Sequence, residues 1–111
     1  MPRDPAVLIE DMLTALLRIE SYTDGFIADR IEDPRTLDAV IRNLEVLGEA
    51  AKGIPESARI NMPRVEWRKI TGLRDVLSHQ YFGIDASIVA DVIVHKLPGI
   101  KSDLEAYLSS R

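Results

Sequence analysis

The chain has only two histidines, the side chains best suited to moving protons near neutral pH, and each follows an aspartate by four residues: Asp75 before His79, and Asp91 before His95. On a helix that spacing puts each pair on one face. Gathering all four into an N2O2 metal site would need something to bring the pairs together. Nothing in the sequence does so, and neither pair has the HxxxH or ExxH spacing of a metal-binding helix. Two exposed ion pairs are the plainer reading, and no metal or cofactor is expected. The absence of cysteine excludes a thiol nucleophile and a thiolate site. No serine has the G-x-S-x-G setting of a nucleophile elbow, and there is no glycine-rich phosphate loop.

The first aspartate–histidine pair stands inside a longer string, Arg74-Asp75-Val76-Leu77-Ser78-His79-Gln80-Tyr81, of the form R-x4-H-x-Y. At about 100° per residue Arg74 and Tyr81 fall within about 20° of each other, whereas His79 is about 140° from Arg74. One helix therefore converges Arg74 and His79 poorly on a small target. Two copies related by a two-fold axis can do it, because each then offers its arginine and histidine to a shared cleft.

The elements that must position these residues read as helices throughout. Asp4-Pro5 is an N-cap followed by proline at the first helical position, and a first helix runs to about Tyr22. Its apolar residues Leu8, Ile9, Met12, Leu13, Leu16, Leu17 and Ile19 span an arc wide enough to ask for a partner helix. Thr23-Asp24-Gly25 signals a turn, and 26–30 a short turn of helix. Asp33-Pro34 repeats the cap and opens a second long helix, with Leu37, Val40, Ile41, Leu44, Leu47 and Ala51 at helical period. Gly48 within it suits close approach of another backbone. Gly53 to Pro63 is the main loop. A third helix is expected from Pro63, turning Trp67, Ile70, Leu73 and Leu77 inward and stopping near Gly83. Asp85 should cap the next helix. Ile88, Val89, Val92, Ile93 and Leu97, then Ile100, Leu104 and Leu108, keep helical period, but Pro98 must kink or break that run. The expected architecture is all-α, a bundle of four or five helices forming one domain over residues 1–111.

Composition agrees with one small soluble domain: 111 residues, 46% hydrophobic, with 14 Lys and Arg against 18 Asp and Glu for a net charge of -4. That balance argues against a protein that coats nucleic acid with its whole surface. The charge is uneven, however. Residues 1–57 hold 12 acids and 6 bases, residues 58–111 hold 6 acids and 8 bases. Between Arg59 and Arg74 the bases Arg59, Arg64, Arg68, Lys69 and Arg74 face the single acid Glu66. Such a run is usually a solvated helix face; here it leads into the R-x4-H-x-Y string. The longest stretch without a charged residue, Val76 to Ile84, is far too short to span a bilayer. Met1-Pro2-Arg3-Asp4-Pro5 does not resemble a signal peptide, so a cytoplasmic location is expected.

The R-x4-H-x-Y string resembles the signature of HepT-like toxins within the HEPN superfamily of ribonucleases. The resemblance extends to Arg42-Asn43-Leu44-Glu45 with Gly48-Glu49-Ala50-Ala51, to Trp67-Arg68-Lys69-Ile70, to Gly72-Leu73-Arg74-Asp75, and to His79-Gln80-Tyr81-Phe82-Gly83. It implies an all-helical homodimer of the HEPN bundle type that cleaves RNA without metal, with Arg74 and His79 of both protomers at the dimer cleft. It also implies a nucleotidyltransferase antitoxin as partner, transferring AMP to Tyr81. The chemistry can be argued beside it. Cleavage through the RNA's own 2′-hydroxyl needs a base, an acid for the leaving oxygen, and positive charge on the phosphorane. Histidine suits either proton role and a guanidinium suits the oxyanions. One motif histidine per chain supplies one role, and two protomers supply both. Asp75 and Ser78 are the supporting neighbours, with Asp75 and the nearby helix C-terminus raising the pKa of His79. The alternative function is non-catalytic: a helical regulatory or substrate-binding companion of a nucleotidyltransferase.

Overall fold

Asp4 caps the first helix in the computed structural model, its Oδ1 accepting from the backbone N–H of Ala6 at 2.9 Å. The structure describes residues 4–23, 30–78 and 86–110, apart from the side chains of Arg74, Val76 and Ser78. Helix α1, Pro5–Thr23, buries Ile9, Met12, Leu16 and Ile19 completely and leaves Leu17 exposed. Asp33 starts helix α2, Pro34–Lys52, as the sequence predicts: its Oδ2 accepts from the Thr36 hydroxyl at 3.0 Å and from the Thr36 backbone N–H at 3.4 Å. Val40, Leu44, Leu47 and Ala51 form the buried stripe, while Leu37 and Ile41 on its border are half-buried. Gly48 is buried as well.

The segment expected to be a plain loop after Gly53 contains a single helical turn, α3, Glu56–Arg59. Ala58 on its inner side is buried, which helps to hold the turn against the core. The next helix, expected from Pro63, starts later. Met62 and Val65 are buried, and the backbone between them turns, Val65 N–H donating to the Met62 carbonyl at 3.2 Å. The indole N–H of Trp67 donates to the same carbonyl at 3.3 Å. Two apolar anchors three residues apart thus dictate a turn, and helix α4 runs over Trp67–Ser78. Its expected stop at Gly83, the cap at Asp85 and the short turn predicted at 26–30, save its last residue, lie outside the described residues.

The run expected to kink or break at Pro98 is divided into helix α5, Ala86–His95, and helix α6, Leu97–Ser109. The break falls at Lys96, with Pro98 in the first turn of α6, where a missing N–H costs nothing. The described residues thus form six helices and no strand, one helix more than the sequence reading allowed because of the α3 turn. Helix α2 is central, packed along α1 on one side and α4 on another, and α6 closes the bundle against α1 and α5. Asn43, a buried polar side chain of α2, donates to the Ala39 carbonyl at 2.9 Å, so the core carries it without an orphaned amide.

Candidate functional site

The R-x4-H-x-Y string begins on α4, and the inward residues of that helix fix how it lies. Ile70 is buried against the core and Leu73 and Leu77 pack on it in part, as their spacing predicts. Asp75 is exposed on the outward side. Arg74 and Ser78 belong to α4, but their side chains lie outside the described residues, as do His79 and Tyr81 entirely. The expected rise in the pKa of His79 falls outside them as well.

The second aspartate–histidine pair is an ordinary surface contact. His95 Nε2 is 3.7 Å from Asp91 Oδ1, with both side chains about two thirds exposed. Among the described residues no cluster of three or more His, Asp or Glu is arranged to hold a metal ion.

The basic segment resolves into distinct roles. Arg64 is hydrogen-bonded to Asp103 of α6. Lys69 Nζ is 2.6 Å from one oxygen of Glu66, and Lys96 Nζ lies 3.6 Å from the other. The hydrogen bond from Lys69, its charge, and the charge of Lys96 hold the Glu66 carboxyl below the usual glutamate range. Arg59 donates to the Ala51 carbonyl at 3.0 Å and sits over the Trp67 ring, 5.3 Å from its centroid, so it ties α3 to α2 and α4. Among the described residues Arg68, exposed on α4, makes no ion pair.

These contacts were missed in the sequence because they join residues 8, 30 or 39 positions apart in the chain, beyond any helical period. The charge run pointed to the region but not to which bases are neutralised. The groove between α1 and α2, of about 580 Å³ and lined by Asp11, Arg18, Arg42, Glu45 and Glu49, mixes both signs of charge. Two arginines among three carboxylates do not make a phosphate site.

The described residues define an all-α helical domain. The family described as "HepT-like: Ribonuclease HepT-like" matches residues 12–107, and the chain belongs to that family. Similar proteins include "Putative RNase MJ0127" of Methanocaldococcus jannaschii, 37% identical over 107 residues that span 95% of this chain and 88% of the relative. "Probable ribonuclease HepT" of Thermococcus cleftensis is 35% identical over 106 residues, 95% of this chain and 96% of the relative. "Putative RNase TTE0752" of Caldanaerobacter subterraneus subsp. tengcongensis is 35% identical over 80 residues, 72% of this chain and 71% of the relative. No solved structure matches the chain. No helix of the described residues is long and apolar enough to cross a membrane.

Proposed function

We propose that this chain is a metal-independent endoribonuclease, the toxin of a toxin–antitoxin pair, acting in the cytoplasm. Arg74 and His79 of two protomers form the site at a dimer interface, with Asp75 and Ser78 in support. Membership of the HepT-like ribonuclease family, with an intact R-x4-H-x-Y string leading off α4, is the observation that carries this reading. The 2′-hydroxyl attacks the neighbouring phosphorus, one histidine takes its proton, and the histidine of the other protomer protonates the departing 5′-oxygen. The arginines hold the phosphorane oxygens. The products are a 2′,3′-cyclic phosphate and a 5′-hydroxyl.

The test is RNA cleavage by purified protein in EDTA, followed by analysis of the new ends. Cyclic phosphate ends are expected, with activity lost in Arg74→Ala and His79→Ala while the thermal transition stays in place. Activity abolished by EDTA and restored by magnesium would reject the mechanism. No cleavage under any condition would favour the companion role.

Tyr81, two residues beyond His79, is the proposed site of neutralisation. A nucleotidyltransferase antitoxin that transfers AMP to its phenol would place a phosphodiester and a bulky adenosine beside the arginine that must hold RNA phosphate. Tyr81→Phe is therefore expected to keep at least partial cleavage and to escape the antitoxin. Intact mass after incubation with antitoxin and ATP checks this, with AMP adducts on wild type only; an equal adduct on Tyr81→Phe removes the switch.

A further inference from the structure

An open groove of about 540 Å³ runs beside the first turns of α4, lined among others by Glu56, Arg59, Ile60, Pro63, Arg68 and Thr71. Its chemistry is unusual for this acidic chain. Arg68 is exposed and without an ion pair among the described residues, whereas Arg64 and Lys69 nearby are each held by a carboxylate. Glu56 is the acid at its edge, against two guanidinium groups. Arg59 is held by the Ala51 carbonyl and the Trp67 ring, so its plane is fixed. Beside these cations stands Ile60, 69% exposed, with the exposed Pro63. A large aliphatic side chain left in water next to a free arginine suits a ligand that is both anionic and flat-faced.

We infer that this groove is a subsite for single-stranded RNA flanking the scissile bond, Arg68 taking a phosphate and Ile60 with Arg59 receiving a base. The inference rests on the ribonuclease reading above. Unstacked bases pack on apolar side chains and on guanidinium planes, while the backbone follows positive charge. The position also fits. From Arg68 to Ser78, the residue before His79, α4 rises about 15 Å, so a strand laid along the helix would reach the groove a few nucleotides from the motif. A carboxylate-bearing protein partner would also find Arg68 and could cover Ile60, and the RNA binding and salt dependence measured below separate the two.

The probe is a fluorescent 20-nucleotide RNA made wholly with 2′-O-methyl ribose, which binds but lacks the attacking hydroxyl, together with its cleavable 2′-hydroxyl counterpart. Arg68→Ala is expected to weaken binding about tenfold, the loss of one charge-assisted contact. The slope of log Kd against log salt should flatten by about 0.7, the share of one phosphate on a single strand. Arg68→Glu should weaken it further and Arg68→Lys restore most of it. Ile60→Ser should weaken binding with the salt slope unchanged. On cleavable RNA, KM should rise in these variants while kcat at saturation holds.

Wild type that binds and cleaves, with Arg68→Ala and Arg68→Glu matching it in affinity and slope, overturns the groove and leaves the nuclease reading intact. Wild type that binds through Arg68 but cleaves no RNA overturns the nuclease reading and leaves the groove an RNA-binding site with no scissile bond to flank. Failure of wild type to bind the 2′-O-methyl RNA overturns the groove, and failure to cleave its 2′-hydroxyl counterpart as well overturns the nuclease reading. Loss of a dimer in Arg68→Ala by light scattering would assign the groove to a second copy of the chain and overturn its role toward RNA.

Discussion

His95 shows how little two residues of the right type establish by themselves. It has the same aspartate one turn before it as His79 does, yet the contact is 3.7 Å long and exposed on both sides. Such a pair adds about 0.2 to 0.5 kcal/mol to a helix. His95→Ala is therefore expected to cleave RNA as wild type does, in the same assay that silences His79→Ala. Equal inactivation of both would remove the premise of two symmetry-related motif histidines. Glu66 offers a sharper electrostatic test. Its pKa is lowered, first by the hydrogen bond from Lys69 and its charge and then by Lys96. A lowered folded-state value means that the contribution of these contacts is present above the ordinary glutamate range and is lost as pH falls through the folded value. Side-chain NMR titration should find Glu66 below a free glutamate, and Lys69→Met should move it back up. Because the Glu66 side chain is exposed to solvent, little change in stability accompanies that shift.

At the scale of elements, the long helices were legible because their signals are local. Asp33 before Pro34 both announces α2 and caps it, and the three-and-four spacing from Val40 to Ala51 is the buried stripe. Asp33→Ala should cost about 1 kcal/mol, mostly through lost capping. Leu44→Ala, which empties a fully enclosed core position, should cost about 2–5 kcal/mol. Denaturant unfolding followed by the single tryptophan, Trp67, would rank them. If the two losses were equal, the ranking of cap below core would be wrong here. The start of α4 was less legible. Pro63 is a sound first-turn residue, but Met62 and Val65 are both buried, and tertiary burial overrides the local cue. Similarly, nothing periodic in Glu56–Arg59 reveals a helical turn, because Ala58 is held by the core rather than by its neighbours in sequence. For the candidate site, the motif string and its surrounding charge were readable, whereas the pairing of Arg64 with Asp103 and of Glu66 with Lys96 depends on how α6 returns past α4.

The whole molecule sets the remaining question, which is how a chain with one motif histidine performs a reaction with two proton transfers. The proposed answer is a second copy. Apolar surface is available for one: Leu17 on α1 is 51% exposed, and on α5 Ile88 is 63% and Val94 is 47% exposed. α5 carries apolar residues around most of its circumference, which a helix serving one core face alone would not need. Light scattering should thus give about twice the 12.4 kDa of one chain at micromolar concentration. A dimer alone, however, does not show that the site is shared. Subunit mixing does. If each active site draws a histidine from both protomers, a dimer with one His79→Ala chain is dead, and activity follows the square of the wild-type fraction. An equimolar mixture, unfolded together and refolded so that chains exchange, should then retain roughly a quarter of the wild-type activity rather than half. Retention of half would mean that each protomer carries a complete site, and one histidine would have to serve as base and acid in turn.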